Sequence, residues 1–159
     1  MADAFSKNPQ QQLKLPGILG GLGPLAHIEF EQRLLHHSSR RGARCDQEHP
    51  NWIVLSAAST PDRTRSLLGT GTDCVPYLVR NSHYLTTMGA DFLVVTCNTA
   101  HGFYHTVQAQ LEIPWLHMMD ATVKYIAESF PTVQRVGVLA TDGTLRSQLY
   151  TTSLAQYGI

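Results

Sequence analysis

Charge is scarce in this chain: Lys, Arg, Asp and Glu make up 15% of it, and 12 basic residues cancel 12 acidic ones. There is no basic block and no acidic tail, so nothing here suits nucleic acid or a charged surface as partner. Cysteine is scarce too. Cys45, Cys74 and Cys97 are an odd number at wide spacing, which argues against a disulfide framework and against a CxxC zinc site, and suits a reducing cytosol. Long apolar runs are also missing: no stretch approaches the roughly 20 residues of a membrane helix. The polar residues 1–12 lack the apolar core of a signal peptide. The expectation is a soluble, cytoplasmic protein with a loose polar tail at 1–13. A chain of 159 residues can bury one fair core and begin a second lobe.

What the chain does have is alternation. Apolar strand patterns at 15–19, 52–57, 92–96, 115–118 and 135–140 are separated by helical patterns at 24–39, 73–88, 102–112, 120–130 and 144–157. Pro24 suits a first helical turn, Asp73 an N-cap, and Gly89 a C-terminal stop. Residues 58–72 read as a polar loop. Continuous apolar strands between helices imply an α/β fold, a parallel sheet covered on both faces. Ligands of such sheets bind at the carboxyl ends of the strands. The loops at that edge are 20–24, 58–64, 97–101 and 141–144, and they hold nearly every chemically interesting residue.

Cys97 is the first of these. It sits at the tip of the third strand, just before a predicted helix, where unpaired N–H groups and the helix dipole favour thiolate over thiol. A buried, inert thiol is the alternative at that position. Gly21-x-Gly23-x-x-Ala26 fits a permissive dinucleotide fingerprint. Against that reading, Pro24 removes an N–H donor, and the second strand ends at Ser56-Ala57 without a ribose-binding acid. A loop offering N–H groups to a smaller anion such as a carboxylate fits better, and a plain tight turn is the bland alternative. Arg63, after the second strand, can clamp a carboxylate bidentately, with Asp62 or a neighbouring hydroxyl fixing its orientation. His101-x-x-x-His105 has metal-like spacing but no adjacent carboxylate, so no metal is expected. His101 lies one turn from Cys97 and either assists its ionisation or packs. A cysteine–histidine hydrolase would need a base oriented by a third group, and none can be assigned.

Three motifs together carry a resemblance: residues 18–26 (ILGGLGPLA), 61–64 (PDRT) and 97–101 (CNTAH). In this order and spacing the chain, from about Leu15 to its end, resembles the aspartate/glutamate racemase family. These are amino-acid racemases that use no pyridoxal phosphate and no other cofactor. Leu22 stands where the family often has methionine, a swap of tolerable volume. The resemblance implies two similar α/β lobes with a small amino-acid substrate in the cleft between them, and a homodimer. Here the first lobe would be 14–117 and the start of an incomplete second lobe 118–159. It also implies two cysteines on opposite faces of the α-carbon, one removing the proton and the other returning one. Cys97 would be the first. The second, in a Gly-Cys-Thr motif, would fall beyond residue 159. Asn98 and Thr99 would hydrogen-bond the substrate and Arg63 would bind a carboxylate. Leu22, Gly23 and Thr60 would line the pocket. The expected function is interconversion of L- and D-aspartate, or of the glutamate pair. The alternative is a catalytically incomplete remnant that binds small carboxylates or a partner subunit.

Overall fold

The computed structural model describes residues 14–159. The expected tail at 1–13 lies outside the described residues. The chain runs through β1 (Pro16–Gly20), α1 (Pro24–Arg40), β2 (Ile53–Ser56), α2 (Arg63–Leu67), α3 (Val75–Thr87) and β3 (Phe92–Val95). Then follow a 3-10 turn (Thr99–Phe103), α4 (Tyr104–Gln108), α5 (Met118–Ser129), α6 (Asp142–Arg146) and α7 (Leu149–Ala155). The three strands form a parallel sheet in the order β2-β1-β3. Gly17 lies opposite Ile53 on one side and Leu93 on the other.

The β1–α1–β2 crossover and the β2–α3–β3 crossover run in opposite directions across the sheet, and a single handedness then puts their helices on opposite faces. The contacts agree. A side chain at Gly17 would meet Leu85 and Ala90 at the end of α3, whereas one at Gly20 would meet His27 of α1. The α3 face carries the main core, in which Leu19, Leu78, Leu85, Leu93, Val95, Val107 and Trp115 are buried together. Burying one such side chain stabilises the fold by about 1.5–3 kcal/mol. The α1 face is more open. Between α1, β3 and the start of α5 lies an apolar groove of about 470 Å³, floored by Val94 and flanked by Phe30 and Met118.

Several elements differ from the sequence expectation. The loop 58–72 contains α2, whose N-terminal amide Arg65 N–H donates to the Asp62 carboxylate at 2.8 Å. The N-cap of α3 is Cys74 rather than the expected Asp73, which lies one residue earlier and accepts from Val75 N–H at 2.9 Å. The helix expected at 102–112 is a 3-10 turn followed by the short α4. The strand expected at 115–118 is reduced to one bridge: Leu93 N–H donates to Pro114 O and Leu116 N–H to Leu93 O, and Met118 already opens α5. The strand expected at 135–140 does not form. Residues 134–140 make no backbone–backbone hydrogen bond among the described residues, because no neighbouring strand lies beside them, and a ladder needs two sides. The final expected helix is broken in two at Gln148, which has φ 51°. Among the described residues no helix is long and apolar enough to cross a membrane.

Candidate active site

The strand order reverses at β1. The chain leaves β1 toward α1 on one face and leaves β3 toward α4, which packs on α3, on the other. The two exits diverge and open a crevice at the carboxyl edge, where ligands of parallel sheets bind. A cavity of about 390 Å³ occupies this edge. Leu22 and Ala26 line it from the β1 exit, Asp62, Arg63 and Thr64 from the start of α2, residues 96–99 from the β3 exit, and Ala140, Thr141 and Thr144 from the 140–144 segment.

Cys97 is a free thiol, partly exposed at this cavity. Thr96 N–H continues the ladder to Leu19 O at 3.1 Å, and the next residue leaves the sheet. The dipole argument for Cys97 is weaker than the sequence suggested, because the five-residue 3-10 turn that follows has a shorter stack of aligned peptides than a continuous α-helix. His101 has a structural role. Trp115 Nε1–H donates to His101 Nε2 at 3.2 Å, so that nitrogen is the acceptor. The proton therefore sits on Nδ1 and is donated to the Cys97 carbonyl at 2.8 Å. Burial lowers the His101 pKa to about 4. A neutral ring with both nitrogens engaged is neither a metal ligand nor a base for the thiol; it fixes the backbone that carries Cys97.

Arg63 is held by the loops it joins. Nη1 donates to Thr60 O and Pro61 O at 3.0 and 2.8 Å, and Nη2 donates to Leu22 O at 2.9 Å. Its orientation is thus fixed by three carbonyls rather than by Asp62 or a neighbouring hydroxyl, and Asp62 caps α2. Of the five guanidinium donors, Nε–H and one Nη2 proton remain. The Nε atom is buried with no partner among the described residues.

Thr99 is buried, and its hydroxyl lies 2.9 Å from that of Thr141 and 3.0 Å from that of Thr144; the latter two are 3.2 Å apart. This triangle of hydroxyls ties the cysteine turn to the 140–144 segment. Gly143 permits the approach: a Cβ there would lie 2.8 Å from both Thr64 Oγ1 and Thr99 Cγ2. Gly21 is needed for a different reason, since it has φ 78° and abuts the Ala57 and Ala58 backbone.

Of the residues expected at the site, Leu22, Arg63, Cys97, Asn98 and Thr99 are brought to the cavity. Gly23 is not in its lining; it precedes α1, and its carbonyl accepts from Ala26 N–H. Thr60 is buried behind it, its hydroxyl donating to Ala57 O at 2.8 Å and accepting from Asn81 Nδ2 at 3.3 Å. Sequence reasoning did not single out Thr64, Thr141 or Thr144 individually. The 141–144 loop was on the expected edge, and its run of small hydroxyl residues was the available signal. Cys74 is buried at the N-cap of α3 and Cys45 is exposed on the loop after α1.

Comparisons with known proteins bear on the family of the chain. The broad specificity amino-acid racemase RacX of Bacillus subtilis (strain 168) is 27% identical over 135 residues, 84% of this chain and 57% of that protein. A glutamate racemase of Ralstonia pickettii (strain 12J) is 30% identical over 141 residues, 86% of this chain and 42% of that protein. The solved Picrophilus torridus aspartate racemase superposes with a TM-score of 0.78 at 29% identity, over 92% of this chain and 60% of that one. The chain therefore spans about half the length of the curated relatives it matches. The profile of the Asp/Glu/Hydantoin racemase family matches residues 19–159, and the chain belongs to that family.

Proposed function

We propose that this chain supplies the cysteine half of a cofactor-independent racemase site for a small acidic amino acid, aspartate before glutamate. The observation that carries this reading is the meeting of a partly exposed thiol, Cys97, with hydroxyl and guanidinium donors in one cavity at the sheet's carboxyl edge. In this reading Cys97 as thiolate removes the α-proton. The resulting carbanion is planar, and inversion requires that a second acid deliver a proton from the opposite face. The remaining Nη2 proton of Arg63, which no carbonyl takes, donates to a carboxylate of the substrate. Asn98 and the hydroxyl of Thr99 meet the remaining polar groups of the substrate. Residues 14–117 act as the first lobe and 118–159 as the beginning of the second, with the cleft between them, in a cytoplasmic homodimer.

A second reading, one-sided proton exchange or simple carboxylate binding, is favoured by a specific observation. Cys97 is the only thiol lining the cavity among the described residues; Cys74 and Cys45 lie elsewhere. Chiral chromatography of L-aspartate and L-glutamate after incubation with the chain, without added cofactor, separates the two. Accumulation of the D-enantiomer, faster for aspartate, is the expected result. Retention of pure L-amino acid would overturn the racemase reading.

A further inference from the structure

We propose that Tyr150 is a positioning residue for this cavity: its hydroxyl holds the Asn98 side chain with the amide nitrogen turned toward the space beside Cys97. The inference deepens the racemase reading and rests on it for the substrate. Tyr150 Oη donates to Asn98 Oδ1 at 2.8 Å across 52 residues of sequence. It is the only hydrogen bond to the Asn98 side chain among the described residues. Asn98 is otherwise exposed, and it borders the cavity of about 390 Å³, the apolar groove and a third cavity of about 220 Å³ that it shares with Tyr150. A side chain so surrounded by open space has free rotamers unless something holds it.

Tyr150 is itself held. It projects from α7, whose Ser153 and Leu154 are buried. Ser153 Oγ donates to Asp120 Oδ1 of α5 at 2.6 Å, and the other Asp120 oxygen lies 3.0 Å from His117 Nδ1. Burial raises the Tyr150 pKa, so the phenol keeps the proton it donates. The chemistry follows from the amide's two ends. With Oδ1 engaged by the phenol, both Nδ2 protons are left for a carboxylate. Without the phenol the amide is free to flip, and its carbonyl oxygen then faces the carboxylate and repels it.

The test is Tyr150→Phe in the full chain, read by the side-chain NH2 resonances of Asn98 in a ¹⁵N spectrum. Their assignment comes from their loss in Asn98→Asp. In the free protein Tyr150→Phe should shift this pair more than those of the other asparagines. L-Aspartate affinity, followed by titration in the same spectra, should fall roughly fivefold, the factor for one ordinary hydrogen bond. Asn98→Asp, which keeps the acceptor for Tyr150 but offers no N–H, should bind L-aspartate more weakly still. An unmoved Asn98 pair, or a moved pair with unchanged affinity, would overturn the positioning role. If L-aspartate perturbs no resonance of the wild-type chain, the racemase reading fails, while the free-protein shift still decides the contact.

Discussion

Residues 14–117 and 118–159 satisfy their backbones in different ways. The first region has a three-stranded sheet in which β1 is paired on both sides and the free edge of β3 is covered by the Leu93–Trp115 bridge. In the second, α5, α6 and α7 satisfy themselves, but residues 134–140 form no ladder among the described residues, and Leu139 is fully exposed. Val136 and Val138 are half-buried while Arg135, Gly137 and Leu139 face outward, the two-residue alternation of a strand without neighbours. A strand pattern thus becomes a strand only where a partner lies beside it. The cavity lies where the self-sufficient region meets the dependent one.

The contrast breaks most easily in the core. Leu93→Ala, at a fully buried position, should cost roughly 2–5 kcal/mol in urea unfolding, since the cavity it leaves cannot close. Acid provides the next largest effect. The unfolded His101 titrates near 6.5 and the folded one at about 4, so between these values the unfolded chain binds the extra proton. The His101 contribution is complete above about pH 6.5 and is lost as pH falls toward 4, amounting to about 3 kcal/mol over that window. Urea midpoints between pH 7 and 4 should show this loss, and His101→Gln should flatten the profile.

Gly143→Ala tests the seam between the regions. The new methyl would press on Thr64 and Thr99, and overpacking of this kind costs about 1–3 kcal/mol. Melting curves should register that cost, and the Cys97 environment, read by its alkylation rate, should change with it. The smallest effect belongs to Leu139→Ser. A side chain with no burial to lose should change stability by less than about 0.5 kcal/mol. A loss comparable to that of Leu93→Ala would mean that 134–140 is packed after all, and the contrast would collapse.

Much of this was legible in the sequence because it depends on local pattern. The β1, β2 and β3 runs are short, apolar and bounded by turn residues, and the Gly-Pro and Asp-Cys-Val-Pro stretches mark the starts of α1 and α3. The family resemblance located Cys97 and its neighbours. What escaped depends on partners distant in sequence. Whether 135–140 becomes a strand is decided by the presence of a neighbour, which no residue within it encodes. The roles of Arg63 and His101 were open for the same reason: the carbonyls of Leu22 and Thr60 and the indole of Trp115 determine them. Tyr150 gave no signal at all, since an isolated tyrosine in a helical pattern reads as surface or core. The helix after Cys97 was overestimated because 102–112 has helical composition, whereas the turn at Thr99–Phe103 is tightened by packing, with Gly102 against Leu67.

The central claim is that Cys97 exchanges the α-proton of an acidic amino acid. Proton NMR of L-aspartate in D₂O, with the wild-type chain beside Cys97→Ser and no added cofactor, tests it most directly. The α-proton signal should disappear with the wild-type chain and persist with Cys97→Ser. Equal exchange in both, or none in either, would contradict it.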